Sequence, residues 1–221
     1  MSVWAVLAAA GSGERLGADR PKAFVGLGGR PLLAEPLERL DAFPWIDAIV
    51  VAAPPEWEEP AILLAEEVGA GKVSACVSGG ATRTDSVRAG VVEVPGDAAV
   101  ILVHDAARPL VTDAVVERVL RPLSDGWDGA VPGLPLADTV KRVRGAEIVE
   151  TLERDDLRAV QTPQAFVADS LRTALGGDLG GATDCSALVE AANGRVCVVE
   201  GDPRLLKVTS PADLALVESW L

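Results

Sequence analysis

Small residues and cations that could handle a phosphate stand together near the start of the chain. Ala9 to Lys22 reads AAGSGERLGADRPK, with Gly11 and Gly13 followed by Arg15, Arg20 and Lys22. Glycines let backbone approach a ligand closely. A loop of backbone N–H groups at a strand end, followed by cations, outlines a phosphate site. It is neither of two familiar phosphate loops, because Leu16 stands where G-x-G-x-x-G needs its third glycine and no Gly-Lys-Ser/Thr follows. Pro21, just before Lys22, argues against a helix running straight out of the loop. Gly11-Ser12-Gly13 alone is compatible with a plain turn. The chain has only four lysines, Lys22, Lys72, Lys141 and Lys207, which makes one beside a glycine loop less easily read as routine solvation. Lys72 reads as a surface residue.

Two further stretches carry unusual residues. Gly79-Gly80-Ala81-Thr82-Arg83-Thr84-Asp85-Ser86-Val87 is a flexible turn entering a helix whose first N–H groups could hold an anion or a base. Taken alone, it reads more readily as a tight turn with Thr84 or Asp85 capping the helix. His104-Asp105-Ala106-Ala107-Arg108-Pro109 puts an acid at a strand tip, where it can hold Mg²⁺ opposite a phosphate loop. Asp105 could instead pair with Arg108; the metal role is expected because Asp105 follows an apolar strand end-on. His104 is the only histidine. No G-x-S-x-G elbow accompanies it, so a packed structural histidine is expected rather than a Ser-His-Asp hydrolase.

The elements that must position these residues alternate. Apolar runs at Val3–Ala9, Ala48–Ala53, Val73–Val77, Ala99–His104 and Val196–Glu200 read as strands. Helical spacing is read at Leu32–Ala42, Ala61–Val68, Thr84–Val94, Asp113–Leu120 (Thr112 as N-cap), Ala165–Leu175 and Asp184–Ala192. Ser210-Pro211-Ala212-Asp213 starts a last helix. This alternation predicts an α/β, Rossmann-like three-layer fold with a mostly parallel sheet covered on both faces, in which ligands sit beyond the carboxyl ends of the strands. Gly133 to Gln161 shows no helix and reads as a projecting β-hairpin arm. The 221 residues are read as a single domain carrying that arm.

Composition narrows the function classes. A net charge of −13 speaks against a nucleic-acid partner. No apolar run approaches the roughly 20 residues of a membrane span, and no signal peptide is read at the start. Cys76, Cys185 and Cys197 form no C-x-x-C pair, which suits a reducing cytoplasm and makes a zinc site unexpected.

Together the three stretches resemble the 2-C-methyl-D-erythritol 4-phosphate cytidylyltransferases of the non-mevalonate isoprenoid pathway, within the nucleotidyltransferases acting on sugar and polyol phosphates. The resemblance continues through Asp138-Thr139-Val140-Lys141, Arg154, Thr162-Pro163-Gln164, Thr183-Asp184 and Lys207-Val208-Thr209, so it spans nearly the whole chain. It implies that Ala9, Ala10, Gly11, Ser12, Gly13, Gly80, Ser86 and Ala106 hold CTP. It implies that Arg15, Lys22 and Lys207 act on the phosphates, and that Asp105 holds the Mg²⁺ cofactor. Asp105, Arg108, Thr139, Arg154, Thr183 and Lys207 would bind methylerythritol phosphate. It further implies a homodimer joined by the arm, with Thr139 and Arg154 reaching into the neighbour's site. Three positions depart from the family pattern: Ala81 and Cys185, where acids are common, and Leu205, where asparagine is frequent.

The implied chemistry suits the residues present. A phosphate monoester is mostly a dianion at neutral pH and attacks the α-phosphorus of CTP without a general base. Repulsion between anions and charge on the leaving pyrophosphate then set the barrier, and fixed cations and Mg²⁺ lower it. Two alternatives stay open at this level: a cytidylyltransferase for another polyol phosphate such as ribitol 5-phosphate, and a non-catalytic nucleotide-binding module.

Overall fold

The computed structural model describes residues 2–17, 19–177 and 182–221. Its strands are β1 (Val3–Ala8), β2 (Gly26–Leu27), β3 (Arg30–Pro31), β4 (Ala48–Ala53), β5 (Val73–Ser78), β6 (Val100–Asp105), β7 (Gly129–Pro135), β8 (Val140–Arg144), β9 (Glu147–Leu152), β10 (Arg158–Val160), β11 (Gln164–Val167) and β12 (Val196–Glu200). Its helices are α1 (Ala34–Ala42), α2 (Glu58–Glu67), α3 (Arg83–Val92), α4 (Asp113–Ser124), α5 (Ala168–Leu175), α6 (Cys185–Ala191) and α7 (Pro211–Glu218).

The apolar runs become parallel strands in the order β6-β1-β4-β5. Every residue of β4 and β6 is buried, which is why they read as continuous apolar runs rather than as an alternation. Within β1 successive side chains serve opposite faces. Ala5 and Leu7 join a core with Leu37 and Leu40 of α1, Leu64 of α2 and Val116 of α4. Val6 points the other way, into a core with Val87 of α3, Leu171 of α5 and Leu188 of α6. The result is the expected three-layer α/β architecture with a mostly parallel sheet. A small third cluster, with Leu27, Leu110, Val208 and Val217, packs α7 near the loop that follows β1.

The far side of the sheet departs from the expectation. Ala165–Val167, expected as the first residues of a helix, belongs to β11, antiparallel between β6 and β7. Phe166 pairs with both Ile101 and Gly129 there and is fully buried. Ladder partners on both sides override the helical spacing, which holds only from Ala168 onward. The segment GAVPGLP forms β7 although its glycines and prolines ordinarily argue against a strand. Gly129 is needed because the Phe166 ring lies over it: a Cβ would sit 2.5 Å from Cδ1 of that ring.

The arm is shorter than Gly133–Gln161. Its root belongs to the main sheet, with Val160 paired to Gly133 and Arg158 to Pro135. The separate hairpin is β8–β9 alone, held by its own ladder and by an Arg142–Glu150 ion pair at 2.7 Å. Its side chains are exposed almost throughout, Val143 at 59% and Ile148 at 61%.

Helix starts follow local chemistry. Ser210 and Asp213 form the capping box expected for α7. For α3 the cap is Thr82, reciprocated by Asp85, two residues earlier than Thr84. Thr112 precedes α4 without a side-chain cap bond.

The Gly129–Phe166 contact is testable. Gly129→Ala should lose about 1–3 kcal/mol of stability through overpacking. Gly71→Ala, where a Cβ meets open space, should stay within about 0.5 kcal/mol. Equal denaturant midpoints for the two variants would refute the contact.

Candidate active site

Three loops at the carboxyl ends of β1, β5 and β6 build the site. After β1 the chain doubles back through two short turns, Glu14–Leu16 and Lys22–Phe24, and Lys22 N–H closes the loop on the Gly11 carbonyl at 3.1 Å. Gly13 adopts φ 78° in this loop, and a Cβ there would lie 3.1 Å from the Lys22 backbone nitrogen. No helix runs straight out of the loop, in keeping with Pro21. The loop after β5 packs onto the first at Gly79, where a side chain would strike Ala10 and Ser86. Ser86 Oγ accepts from Gly80 N–H at 3.1 Å and donates to the Thr82 carbonyl at 2.9 Å, so these residues fix the second loop's shape.

The loops enclose a cleft of about 490 Å³. It is lined by Ala9, Ala10, Gly11, Ser12, Arg15, Lys22, Gly80, Ala81, Ser86, Asp105, Ala106 and Lys207, together with Arg83. Gly13 shapes the turn without lining the cleft. A smaller pocket of about 210 Å³ adjoins it, lined by Arg83, Asp105, Arg108, Gln161, Thr162, Gln164, Thr183, Asp184 and Lys207. The two cavities share Arg83, Asp105 and Lys207. A third cavity, between α2 and β5, has the same volume as the larger cleft, but its only titratable groups are Glu66 and Cys76. Chemistry, not size, singles out the first pair.

Asp105 stands in the shared wall, 5% exposed. Arg83 Nε donates to its Oδ1 at 2.6 Å and Lys207 Nζ to its Oδ2 at 2.7 Å. Burial alone would raise the carboxyl's pKa; the charges of Arg83 and Lys207 outweigh it and hold the group well below the usual carboxylate range. Lys22 donates to the Val208 carbonyl at 3.2 Å. Its pKa is lowered by burial and by the nearby charges of Lys207 and Arg15. A cleft that crowds cations in this way is arranged for an anion.

The expected metal role of Asp105 does not fit this arrangement. Both carboxylate oxygens already serve cations, and a divalent ion on the same group would face Arg83 and Lys207 at close range. Among the described residues no cluster of three or more His, Cys, Asp or Glu side chains could hold a metal. The alternative weighed for Asp105, an ion pair with Arg108, is not formed; the partner is Arg83. Arg108 Nη1 instead donates to the Leu205 carbonyl at 2.6 Å.

Thr139 and Arg154 line neither cavity. Both are exposed, and Arg154 hydrogen-bonds the Ala137 carbonyl at the arm's root. His104 is fully buried and burial holds its pKa down to about 4.

The departures from the family pattern find local accounts. Leu205 is a core residue that meets Arg108 through its backbone. Cys185 is buried 3.7 Å from Arg83, its pKa pushed up to about 11 by burial. Ala81 lines the cleft.

Arg83, Gln161 and Gln164 were given no role in the sequence reading, although Arg83 and Gln164 lie in stretches it singled out. Arg83 had one available signal: a cation in the first turn of a helix opposes the helix dipole and needs a reason to be there. Buried polar atoms without a hydrogen-bond partner include Arg83 Nη2, Arg108 Nε and Gln164 Oε1, all on residues of the smaller pocket. Such a wall suits a small ligand rich in hydroxyl and oxyanion groups.

Comparison with known proteins gives the family. The family model for 2-C-methyl-D-erythritol 4-phosphate cytidylyltransferase matches residues 3–221. The enzyme of that name from Nocardia farcinica is 47% identical over 221 residues, covering 100% of this chain and 94% of the relative. That from Saccharopolyspora erythraea is 46% identical over 227 residues and covers 100% of both. The crystal structure of the Thermus thermophilus cytidylyltransferase superposes with a TM-score of 0.79 at 34% identity, covering 100% of this chain and 98% of that one. The chain belongs to the 2-C-methyl-D-erythritol 4-phosphate cytidylyltransferase family.

Proposed function

We propose that the protein transfers a cytidylyl group from CTP to 2-C-methyl-D-erythritol 4-phosphate, releasing pyrophosphate, in the non-mevalonate route to isoprenoid precursors. The observation that carries this reading is the pair of cavities meeting at one ion-paired wall. A glycine-lined, cationic cleft suits a nucleoside triphosphate, and a small polar pocket beside it suits a polyol phosphate.

In this reading Ala9 to Gly13, Gly80, Ser86 and Ala106 seat the nucleotide, and Arg15 and Lys22 face its phosphates. Arg108, Thr183 and Asp105 take the acceptor's polar groups, and Lys207 stands between acceptor phosphate and α-phosphorus. The acceptor dianion is the nucleophile, so no side chain need remove a proton. Lys22 and Lys207 are held by backbone and carboxylate contacts before substrate arrives. Their charge is therefore in place as negative charge shifts onto the leaving pyrophosphate. Asp105 keeps Lys207 aimed while leaving a lone pair on each oxygen for an acceptor hydroxyl. When bound with the triphosphate, a magnesium ion would supply further charge neutralisation beside Arg15 and Lys22.

We place the active form as a cytoplasmic homodimer. An exposed two-stranded hairpin with Val143 and Ile148 outward is marginal alone and calls for a second surface. Thr139 and Arg154, outside both cavities of their own chain, would complete the partner's acceptor pocket. Free cysteines and the absence, among the described residues, of a helix long and apolar enough to cross a membrane accord with the compartment.

The direct test is pyrophosphate release from CTP. Methylerythritol phosphate should turn over faster than ribitol 5-phosphate, and the reverse order would reassign the substrate. Asp105→Asn should lower kcat by about 100-fold, since it unpairs two site cations, yet leave the Mg²⁺ midpoint of the residual activity unchanged. A midpoint displaced to higher Mg²⁺ would restore Asp105 as a metal ligand. For the dimer, the inactive variants Lys22→Ala and Arg154→Ala are mixed. About half of randomly exchanged dimers are heterodimers, and each carries one intact site if Arg154 acts across the interface. Roughly a quarter of parental activity should therefore return. No recovery, with subunit exchange confirmed, would confine Arg154 to its own chain.

A further inference from the structure

His104, the only histidine in the chain, has no part in the chemistry above. It lines neither cavity and is fully buried, so it reaches no substrate. Both of its ring nitrogens are nevertheless engaged. Nε2 lies 3.0 Å from the Arg108 carbonyl oxygen, which can only accept, so Nε2 carries a proton. Thr162 Oγ1 accepts from the Asp105 N–H at 3.0 Å and stands 3.1 Å from Nδ1. In a neutral ring Nδ1 is bare, and the threonine hydroxyl donates to it. Every proton in the chain from Asp105 N–H through Thr162 and His104 to the Arg108 carbonyl then has one place.

That chain grips a single turn at both ends. Arg108 N–H donates to the Asp105 carbonyl at 2.9 Å, and the Ala107 carbonyl accepts from Val208 N–H at 2.8 Å. The turn therefore carries Asp105 on its first residue and Arg108 on its last. Through Ala107 it also ties down the segment bearing Lys207. The imidazole holds the last carbonyl directly and the first amide through Thr162. We propose that neutral His104, as the Nε2–H tautomer, is a positioning residue for the acceptor pocket, setting the aim of Arg108 and Asp105 without touching substrate. Burial favours the neutral ring. A charged ring would turn a second N–H on Thr162, which would lose its acceptor.

The inference rests on the proposed reaction for its kinetic test and on the wild-type chain alone for its spectroscopic one. With a single histidine, ¹⁵N-imidazole NMR of the full-length protein is unambiguous. One protonated nitrogen and one bare nitrogen, with the proton on Nε2 and unchanged from about pH 8 to about pH 6, is the expected result. A proton on Nδ1 overturns the proposal whether or not any variant folds. His104→Gln keeps a donor near the Nε2 position, His104→Asn keeps an acceptor near the Nδ1 position, and His104→Phe keeps only shape. The KM for methylerythritol phosphate should rise about tenfold in Phe and Asn and less in Gln, with the KM for CTP within about twofold. An unchanged acceptor KM in the Phe variant, or equal rises for both substrates, would overturn positioning in favour of plain packing. Absence of turnover by the parent enzyme would instead overturn the proposed reaction, leaving the imidazole spectrum to decide the network.

Discussion

A carboxylate held between two cations at the end of a buried strand is the constraint on which the site depends. Asp105 closes β6, and β6 is buried along its whole length, so the position of the acid is set by the core rather than by a loop. Burial of one unpaired carboxylate is costly, and the Arg83 and Lys207 contacts offset that cost. In return each cation is fixed. The same pairing that makes the acid tolerable in the interior therefore orients the charges facing both cavities.

The sheet explains why these partners meet. Parallel strands β1, β4, β5 and β6 bring their carboxyl ends to one rim, where the loops after β1 and β5 and the turn after β6 are neighbours. Gly79 lets two of those loops touch at Ala10. The antiparallel strand β11 then lays Gln164, and Thr162 just before it, along the other side of β6. Lys207 arrives from the end of the chain, secured because Val208 bonds the turn after β6 and packs with Leu27 and Leu110. Parallel pairing brings together the loops of the larger cleft; the antiparallel strand and the returning end of the chain complete the smaller pocket.

That division also marks what could be read without coordinates. The buried strands β1, β4 and β6 declare themselves through apolar runs, and the residues at their tips are legible because a tip is where charge interrupts such a run. β7 and β11 were not legible. The first is rich in glycine and proline, and the second continues into a helix with the same apolar spacing; only their mutual pairing makes them strands. For the same reason the smaller pocket's Gln161 had no local signal, and Gln164 had only its place in the Thr162-Pro163-Gln164 motif. Asp105 was legible as an acid at a strand tip, but its pairing with Arg83 was not, since the two lie 22 positions apart and no spacing rule connects a helix's first turn to a strand's last residue. The projecting hairpin was recognised, but its root was assigned to it instead of to the sheet.

The shared wall has a consequence for how such a protein can diverge. Residues that line only the smaller pocket, among them Gln161, Gln164, Thr183 and Asp184, come from the far side of the sheet and from the start of α6. Those that line only the larger cleft, among them Ala9 to Ser12, Gly80 and Ser86, come from the loops after β1 and β5. Each set is free to drift without displacing the other, so a new polyol or a new base is reachable by substitutions confined to one side. Arg83, Asp105 and Lys207 have no such freedom, because any change there is felt in both cavities at once. Diversification of acceptors around an unaltered triphosphate site is the evolutionary path that this geometry leaves open.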